Sequence, residues 1–144
     1  LTIGYPNTID EKKLLRAGGA QDALENLEPV VDESEVRELQ RQVHHVHVSE
    51  SLMDYLMTIV QTTRAHAEVA LGVSTRGALT YFKACKAMAM VHGRDFVIPE
   101  DIKRLAGPVL SHRILLKDRR VLRGDFSPEG RFIQRIVGEV AVPR

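Results

Sequence analysis

The chain has 144 residues, of which 44% are hydrophobic and 27% are charged, as is usual for a soluble globular protein. Its formal net charge of +1 gives no electrostatic reason to expect nucleic-acid binding, and its single cysteine excludes an internal disulfide framework. A lone cysteine fits a reducing compartment, and no apolar run approaches the roughly 20 residues of a membrane span, so we expect a cytoplasmic protein without membrane contact.

The N-terminal part is expected to contain a strand remnant, a short helix and a connector. Residues 1–7 are β-compatible until a proline interrupts them, and because the chain begins within this strand we expect it to be a fragment of a longer protein. Within residues 8–31, Thr8 and Glu11 have the spacing of a capping box, which predicts a helix over residues 9–16. The remainder of this segment has little periodicity and is interpreted as an exposed connector.

A helical domain is predicted over residues 32–144, and it begins with a surface helix and a brief extended segment. Asp32 and Glu35 have capping-box spacing, and a single apolar stripe follows them. His45 and His47 then alternate with valines, so they share one side of an extended segment. Two such histidines could hold a metal, but no cysteine or carboxylate stands at ligand spacing, so we interpret this side as solvated.

The next helix is predicted to begin at Ser49 or Ser51 and to end near Arg64. Its broad buried face contains Leu52, Met53, Leu56, Ile59, Val60 and Thr63. Arg64 favours the C-terminal end of its helix, where a cation is stabilised by the dipole, although it could also approach a nucleotide or a neighbouring subunit. Residues 68–73 have no period and are interpreted as a loop.

A central helix is predicted over residues 75–91, with Gly93 ending it. Apolar residues cover so much of its circumference that we expect it to be the most buried helix of the chain. Cys85 lies on the buried side of this helix with no base beside it, so we interpret it as a core thiol rather than a nucleophile.

Arg76 occupies an unusual position at the start of the central helix. Ser74 is a good N-cap, because its hydroxyl can accept a hydrogen bond from a free backbone N–H in the first turn. Arg76 then lies at the positive end of the helix dipole, where a cation is unfavourable. Backbone donors and a guanidinium would together bind a phosphate; the alternative is a solvated surface arginine.

Another helix is predicted from Pro99, ending near Pro108 or Arg113. Arg94 and Asp95 follow the glycine stop, and we expect them to pair across the turn into this helix.

The C-terminal part is predicted to contain a basic segment and a last helix. Residues 113–123 are basic and partly strand-like, and because acidic residues dilute them and no aromatic platform is interleaved, we interpret them as a solvated hairpin or loop. Ser127 is expected to cap the last helix. The fold class predicted from these elements is mostly α, a small bundle of four to five helices with the N-terminal strand remnant and a possible small β-hairpin.

The stretch from Gly72 to Ile114 resembles the C-terminal lid of AAA+ ATPases of the MoxR family. It contains G-V-S-T-R, then A-M-A, then G-R-D-F-V-I-P-E-D-I, then P-V-L-S-H-R. A looser resemblance extends back over residues 46–64, which end in T-R, and the opening residues look like the strand that closes the family's nucleotide-binding subdomain. Gly77 stands where the family often has alanine, which predicts a helix start weaker by up to about 1 kcal/mol.

The resemblance implies a helical lid that closes over ATP and couples its hydrolysis to chaperone-like maturation or assembly of other proteins. Carried over by position, Arg76 is the sensor-2 residue that reaches the γ-phosphate, with Ser74 as its helix cap. Arg64 and Arg113 are possible secondary contacts, in cis or in trans. The family forms rings, so we expect a hexamer, and it often works with a von Willebrand factor A-domain partner.

The chain lacks a G-x-x-x-x-G-K-[ST] loop and an apolar strand ending in paired acids, so we expect an absent subdomain to hold the phosphates and Mg²⁺. The chain alone is expected not to hydrolyse ATP. A second hypothesis is a stand-alone helical module that binds protein, or binds nucleic acid through residues 113–123.

Overall fold

The structure of the protein, a computed structural model, describes residues 4–18, 27–118 and 127–143. The chain divides into two compact units, Leu1–Glu38 and Leu39–Arg144. The boundaries predicted at residues 7 and 31 stay predictions. The described elements are helix α1 (Thr8–Arg16), α2 (Glu33–Val43), α3 (Glu50–Ala65), strand β1 (Val69–Leu71), α4 (Thr75–Val91), α5 (Pro99–Leu110), a 3-10 turn (Ser111–Arg113), β2 (Leu115–Leu116) and α6 (Pro128–Glu139).

The first unit contains α1, which buries no residue. Asn7, rather than Thr8, is its N-cap, because the Asn7 side chain accepts from the backbone N–H groups of Ile9 and Asp10. The predicted capping box at Thr8 is therefore wrong by one residue. Residues 1–3 of the strand predicted over residues 1–7 lie outside the described residues, and residues 4–7, which are described, form no strand. Most of the predicted connector also lies outside the described residues.

Helix α2 begins with the predicted capping box. The backbone N–H of Glu35 donates to Asp32 and the backbone N–H of Asp32 donates to Glu35, both at 2.8 Å. The helix buries no residue, and Val36 and Leu39 on its apolar stripe are 38% and 46% exposed. The prediction of a surface helix is confirmed.

The core lies in the second unit, where helices α3 to α6 pack together. Helix α5 contacts both α4 and α6, and α3 contacts the same two helices, so the four helices enclose one apolar centre. The largest fully buried side chains of this core are Tyr81, Ile59, Ile102, Leu110, Ile133, Ile136, Val60 and Val73. The predicted mostly α fold is confirmed.

Helix α4 has the predicted bounds, and its end is fixed by Gly93 at a φ of 70°. The backbone N–H of Arg94 donates to Ala89 and that of Gly93 donates to Met90, which is the Schellman pattern. The expectation that α4 is the most buried helix is wrong. It buries five residues against six in α3, and Leu79 is 56% exposed.

A two-stranded antiparallel sheet joins distant parts of the second unit. Residue Val69 pairs with Leu116 and Leu71 with Leu115. The loop predicted over residues 68–73 is therefore wrong at β1. Strand β2 lies at the start of the basic segment and pairs with β1. Residues 119–123 of the hairpin or loop predicted there lie outside the described part.

The segment before α3 is a turn followed by one bridge, rather than an alternating strand. His44 and His45 continue the end of α2 through hydrogen bonds to Arg41 and Gln42. His47 forms a parallel bridge with Phe96, which ties the entry of α3 to the loop after α4. Within the described residues, no helix is long and apolar enough to cross a membrane.

Candidate functional site

The start of α4 presents hydrogen-bond donors to solvent. Ser74 is its N-cap, and the Ser74 hydroxyl accepts from the backbone N–H of Gly77 at 3.2 Å. Among residues 39–118 and 127–143, no oxygen accepts from the backbone N–H of Thr75 or Arg76. Two donors at the positive end of the helix dipole are therefore left for an external acceptor.

The side chain of Arg76 is exposed beside these donors. Within residues 39–118 and 127–143, its guanidinium makes neither a hydrogen bond nor an ion pair. The first turn of α4 also contains no acidic residue that would offset the charge. A cation at this end of a helix is unfavourable by a few tenths of a kcal/mol or more, so the local structure does not explain Arg76.

The two other arginines expected near this site do converge on it. The Arg64 Nε donates to the backbone oxygen of Val73, directly before the cap of α4, at 2.8 Å. The Arg113 Nε donates to Val109 at 2.9 Å, and the Arg113 side chain passes over Gly77 in the first turn. Neither arginine pairs with a carboxylate of residues 39–118 or 127–143, so three arginine side chains without such a partner lie around the start of α4, an arrangement that could attract an anion.

The structure shows why position 77 is a glycine, which could not be inferred from the sequence. A Cβ atom at this position would lie 2.9 Å from Val73 Cγ1 and 3.4 Å from Arg113 Cδ. Val73 is only 1% exposed, so its side chain has little room to move. Glycine therefore lets both side chains pack against the first turn of α4, and the expected weakening of the helix is only part of its effect.

An apolar groove of about 380 Å³ runs between α3 and α4 and ends at Arg64 and Thr75. Its remaining lining is Met53, Leu56, Met57, Ala78, Leu79 and Phe82. Leu79 is 56% exposed, so it contributes apolar surface to this groove on the outward side of α4.

Arg94 has a structural role in the second unit. Its guanidinium donates to both carboxylate oxygens of Asp101, at 2.7 and 2.8 Å, and Asp101 also accepts from the backbone N–H of Ile98. Burial raises the pKa of Asp101, but these hydrogen bonds outweigh it, so the pKa lies below its usual value. The expected pairing into the next helix is confirmed for Arg94, whose partner in that helix is Asp101.

The remaining candidates do not form sites in the described part of the chain. Burial raises the pKa of the Cys85 thiol to about 12, which supports its interpretation as a core residue. His45 and His47 are both exposed, and no three His, Cys, Asp or Glu side chains among the described residues could together hold a metal ion. The arginines at 119, 120 and 123 lie outside the described residues.

Comparisons with known proteins place this geometry in context. Residues 61–131 match the family model of the AAA lid domain. The chain is 38% identical over 143 residues to the uncharacterized protein YeaC of Bacillus subtilis, covering 99% of this chain and 44% of YeaC. It is 29% identical over 153 residues to the chaperone MoxR1 of Mycobacterium tuberculosis, covering 100% of this chain and 40% of MoxR1.

A solved structure shares the fold. The crystal structure of a Cytophaga hutchinsonii protein, classed as a candidate ATPase, superposes with a TM-score of 0.75 at 28% identity. The match covers 99% of this chain and 45% of that chain. This chain thus spans less than half the length of these three proteins.

Proposed function

Because residues 61–131 match the AAA lid domain and the whole chain is similar to the chaperone MoxR1, we propose that this chain is a lid that closes over ATP bound mainly by the rest of a longer AAA+ ATPase. The similarity to MoxR1, which is a chaperone by name, extends over the whole chain and supports this proposal. The observation that carries it is Arg76, an exposed cation at a capped helix start that forms no ion pair within residues 39–118 and 127–143.

In this proposal Arg76 contacts the γ-phosphate. The backbone N–H groups of Thr75 and Arg76, which have no acceptor in the described part of the second unit, and the Arg76 guanidinium are charge-complementary to phosphate oxygens, which are acceptors only. The unfavourable position of the arginine is then offset by the ligand. Hydrogen bonds to charged groups contribute about 1.5–3 kcal/mol, so a single residue at this position can decide whether ATP is distinguished from ADP.

Arg64 and Arg113 have a supporting role in this proposal. Both use Nε to hold a backbone oxygen, at Val73 and at Val109, which leaves their terminal NH groups for a ligand or a neighbouring subunit. Because Nε is already fixed, less side-chain entropy is lost when the terminal groups bind an anion. We propose that they raise the positive potential around Arg76.

The rest of the longer protein would supply the remaining parts. We propose that a nucleotide-binding subdomain outside this chain holds the phosphates and Mg²⁺, and that the full protein assembles as a ring, a hexamer by family resemblance. The proposed activity is chaperone-like maturation or assembly of other proteins, with a von Willebrand factor A-domain protein as partner. The lid contributes closure and a γ-phosphate contact.

The proposal is tested by steady-state ATP hydrolysis of the full-length protein carrying Arg76→Ala. We expect kcat/KM to fall by about 10- to 100-fold, which is the loss of one charge-assisted contact. Lys83→Ala is the matched control, because Lys83 is an exposed cation on the same side of α4, about 10 Å further along the helix axis. Equal turnover in the wild-type and Arg76→Ala proteins would contradict the assignment.

A further inference from the structure

The residue before the cap of α4 is held by the last turn of α3. The backbone N–H of Val73 donates to the hydroxyl of Thr63 at 3.1 Å, and its backbone oxygen accepts from Arg64 Nε at 2.8 Å. Both hydrogen-bonding groups of one loop residue are thus held by two consecutive residues of another helix. Only Ser74 and Thr75 separate Val73 from Arg76.

Thr63 is a buried polar residue whose hydroxyl is fully used. Its side chain is 0% exposed on the otherwise apolar face of α3. The hydroxyl donates to the backbone oxygen of Val60 at 2.7 Å, which fixes its orientation and leaves a lone pair for the N–H of Val73. Burying a hydroxyl on an apolar face is unfavourable unless it is hydrogen-bonded. We therefore attribute the threonine at this position to the two hydrogen bonds that its hydroxyl makes.

Gly72 allows the loop to lie directly against α3. A Cβ at this position would be 2.6 Å from Arg64 Cα, 2.8 Å from Arg64 N and 2.8 Å from the backbone oxygen of Thr63. These neighbours are backbone atoms of a helix and cannot turn aside as a side chain can. Any larger residue at position 72 must therefore push the loop away from α3, and the start of α4 with it.

We propose that Thr63 is a positioning residue, which sets the orientation of Arg76 towards the γ-phosphate by fixing Val73 against α3. This inference rests on the proposed function of Arg76 and adds the residue that sets the orientation of Arg76. Thr63 is fully buried and has no exposed atom to offer a nucleotide, so it acts through the loop and the first turn of α4. A contact with a single phosphate group depends on orientation, which a loop released from α3 would lose.

The experiment measures the dissociation constants of ADP and of the non-hydrolysable ATP analogue AMP-PNP for the full-length protein, and compares their ratio. Thr63→Val keeps the shape of the side chain but removes the acceptor for Val73. Thr63→Ser keeps both hydrogen bonds. We expect Thr63→Val to reduce the preference for AMP-PNP by about three- to tenfold, and Thr63→Ser to retain most of it. Gly72→Ala, a second way to displace the loop, is expected to act like Thr63→Val.

The double variant Thr63→Val/Arg76→Ala decides whether Thr63 acts through Arg76. We expect it to have the same ratio as Arg76→Ala alone, since an absent guanidinium cannot be misplaced. If Arg76→Ala lowers the ratio but neither Thr63→Val nor Gly72→Ala does, the positioning inference is overturned and the proposed function stands. A further loss in the double variant would also overturn it. If Arg76→Ala has no effect, the proposed function fails, and the inference with it.

Discussion

Replacing Gly77 by alanine adds one methyl group to the first turn of α4, and the structure predicts that this change is destabilising. In a helix, Gly→Ala usually stabilises by about 0.5–1 kcal/mol, because alanine loses less backbone entropy. Here the new Cβ would lie 2.9 Å from Cγ1 of Val73, a stiff β-branched side chain that is 1% exposed. Overpacking of this kind costs about 1–3 kcal/mol, so we expect a net loss of about 0–2.5 kcal/mol.

Gly138→Ala in α6 is the matched control, because a Cβ there would meet no atom of the described residues within 4 Å beyond the backbone of its own helix. We expect it to be neutral or to stabilise the chain by up to about 1 kcal/mol. The free energy of unfolding of both variants is measured by urea titration followed by circular dichroism, which suits a chain without tryptophan.

A double variant identifies the cause of the loss at Gly77. In a Val73→Ala background the conflicting Cγ1 atom is absent, so Gly77→Ala should become stabilising by about 0.5–1 kcal/mol. If Gly77→Ala stabilises the otherwise wild-type chain as much as Gly138→Ala does, Val73 does not pack against the first turn of α4, and the geometry inferred for the site is wrong.

Three further predictions concern the core of the second unit. The Cys85 thiol, with its pKa raised to about 12 by burial, should react with a disulfide reagent at pH 8 only as fast as the chain unfolds; rapid labelling of the folded chain would contradict this. Asp101→Asn should reduce the free energy of unfolding by about 1–3 kcal/mol at neutral pH. Since the pKa of Asp101 is lowered in the folded state, this contribution is present above the unfolded pKa of about 3.9 and is lost as pH falls through the folded pKa. The free energies of unfolding of wild type and Asp101→Asn, measured by urea titration, should therefore converge in acid. A difference that stays constant with pH would contradict this prediction. Tyr81→Phe should cost about 0.5–1.5 kcal/mol in the same titration, because the buried hydroxyl donates to the backbone oxygen of Ile102, and an unchanged midpoint would exclude that bond.

The elements that local chemistry specifies could be predicted from the sequence. Helix α4 is bounded by Ser74 and Gly93, whose cap hydrogen bonds involve only residues a few positions away. The same is true of the capping box of Asp32 and Glu35. Arg76 could be singled out for the same reason, since both its cap and its helix dipole are local properties.

The elements that depend on distant partners could not be predicted. Strand β1 has three residues, too few for a period to show, and its partner β2 lies more than 40 positions further along the chain. Thr63 could be placed on the buried face of α3, but its use depends on Val73 ten positions away. Gly77 shows only a lower helix propensity in the sequence, whereas the structure shows the side chain that needs the space.

The most direct test of the central claim is the preference of the full-length protein for AMP-PNP over ADP, measured by titration calorimetry for wild type, Arg76→Ala and Lys83→Ala. If Arg76 contacts the γ-phosphate, the Arg76→Ala protein should lose about tenfold or more of this preference while its affinity for ADP stays close to that of wild type, and Lys83→Ala should behave as wild type. An unchanged ratio of the two dissociation constants in Arg76→Ala would contradict the claim that this lid reads the γ-phosphate.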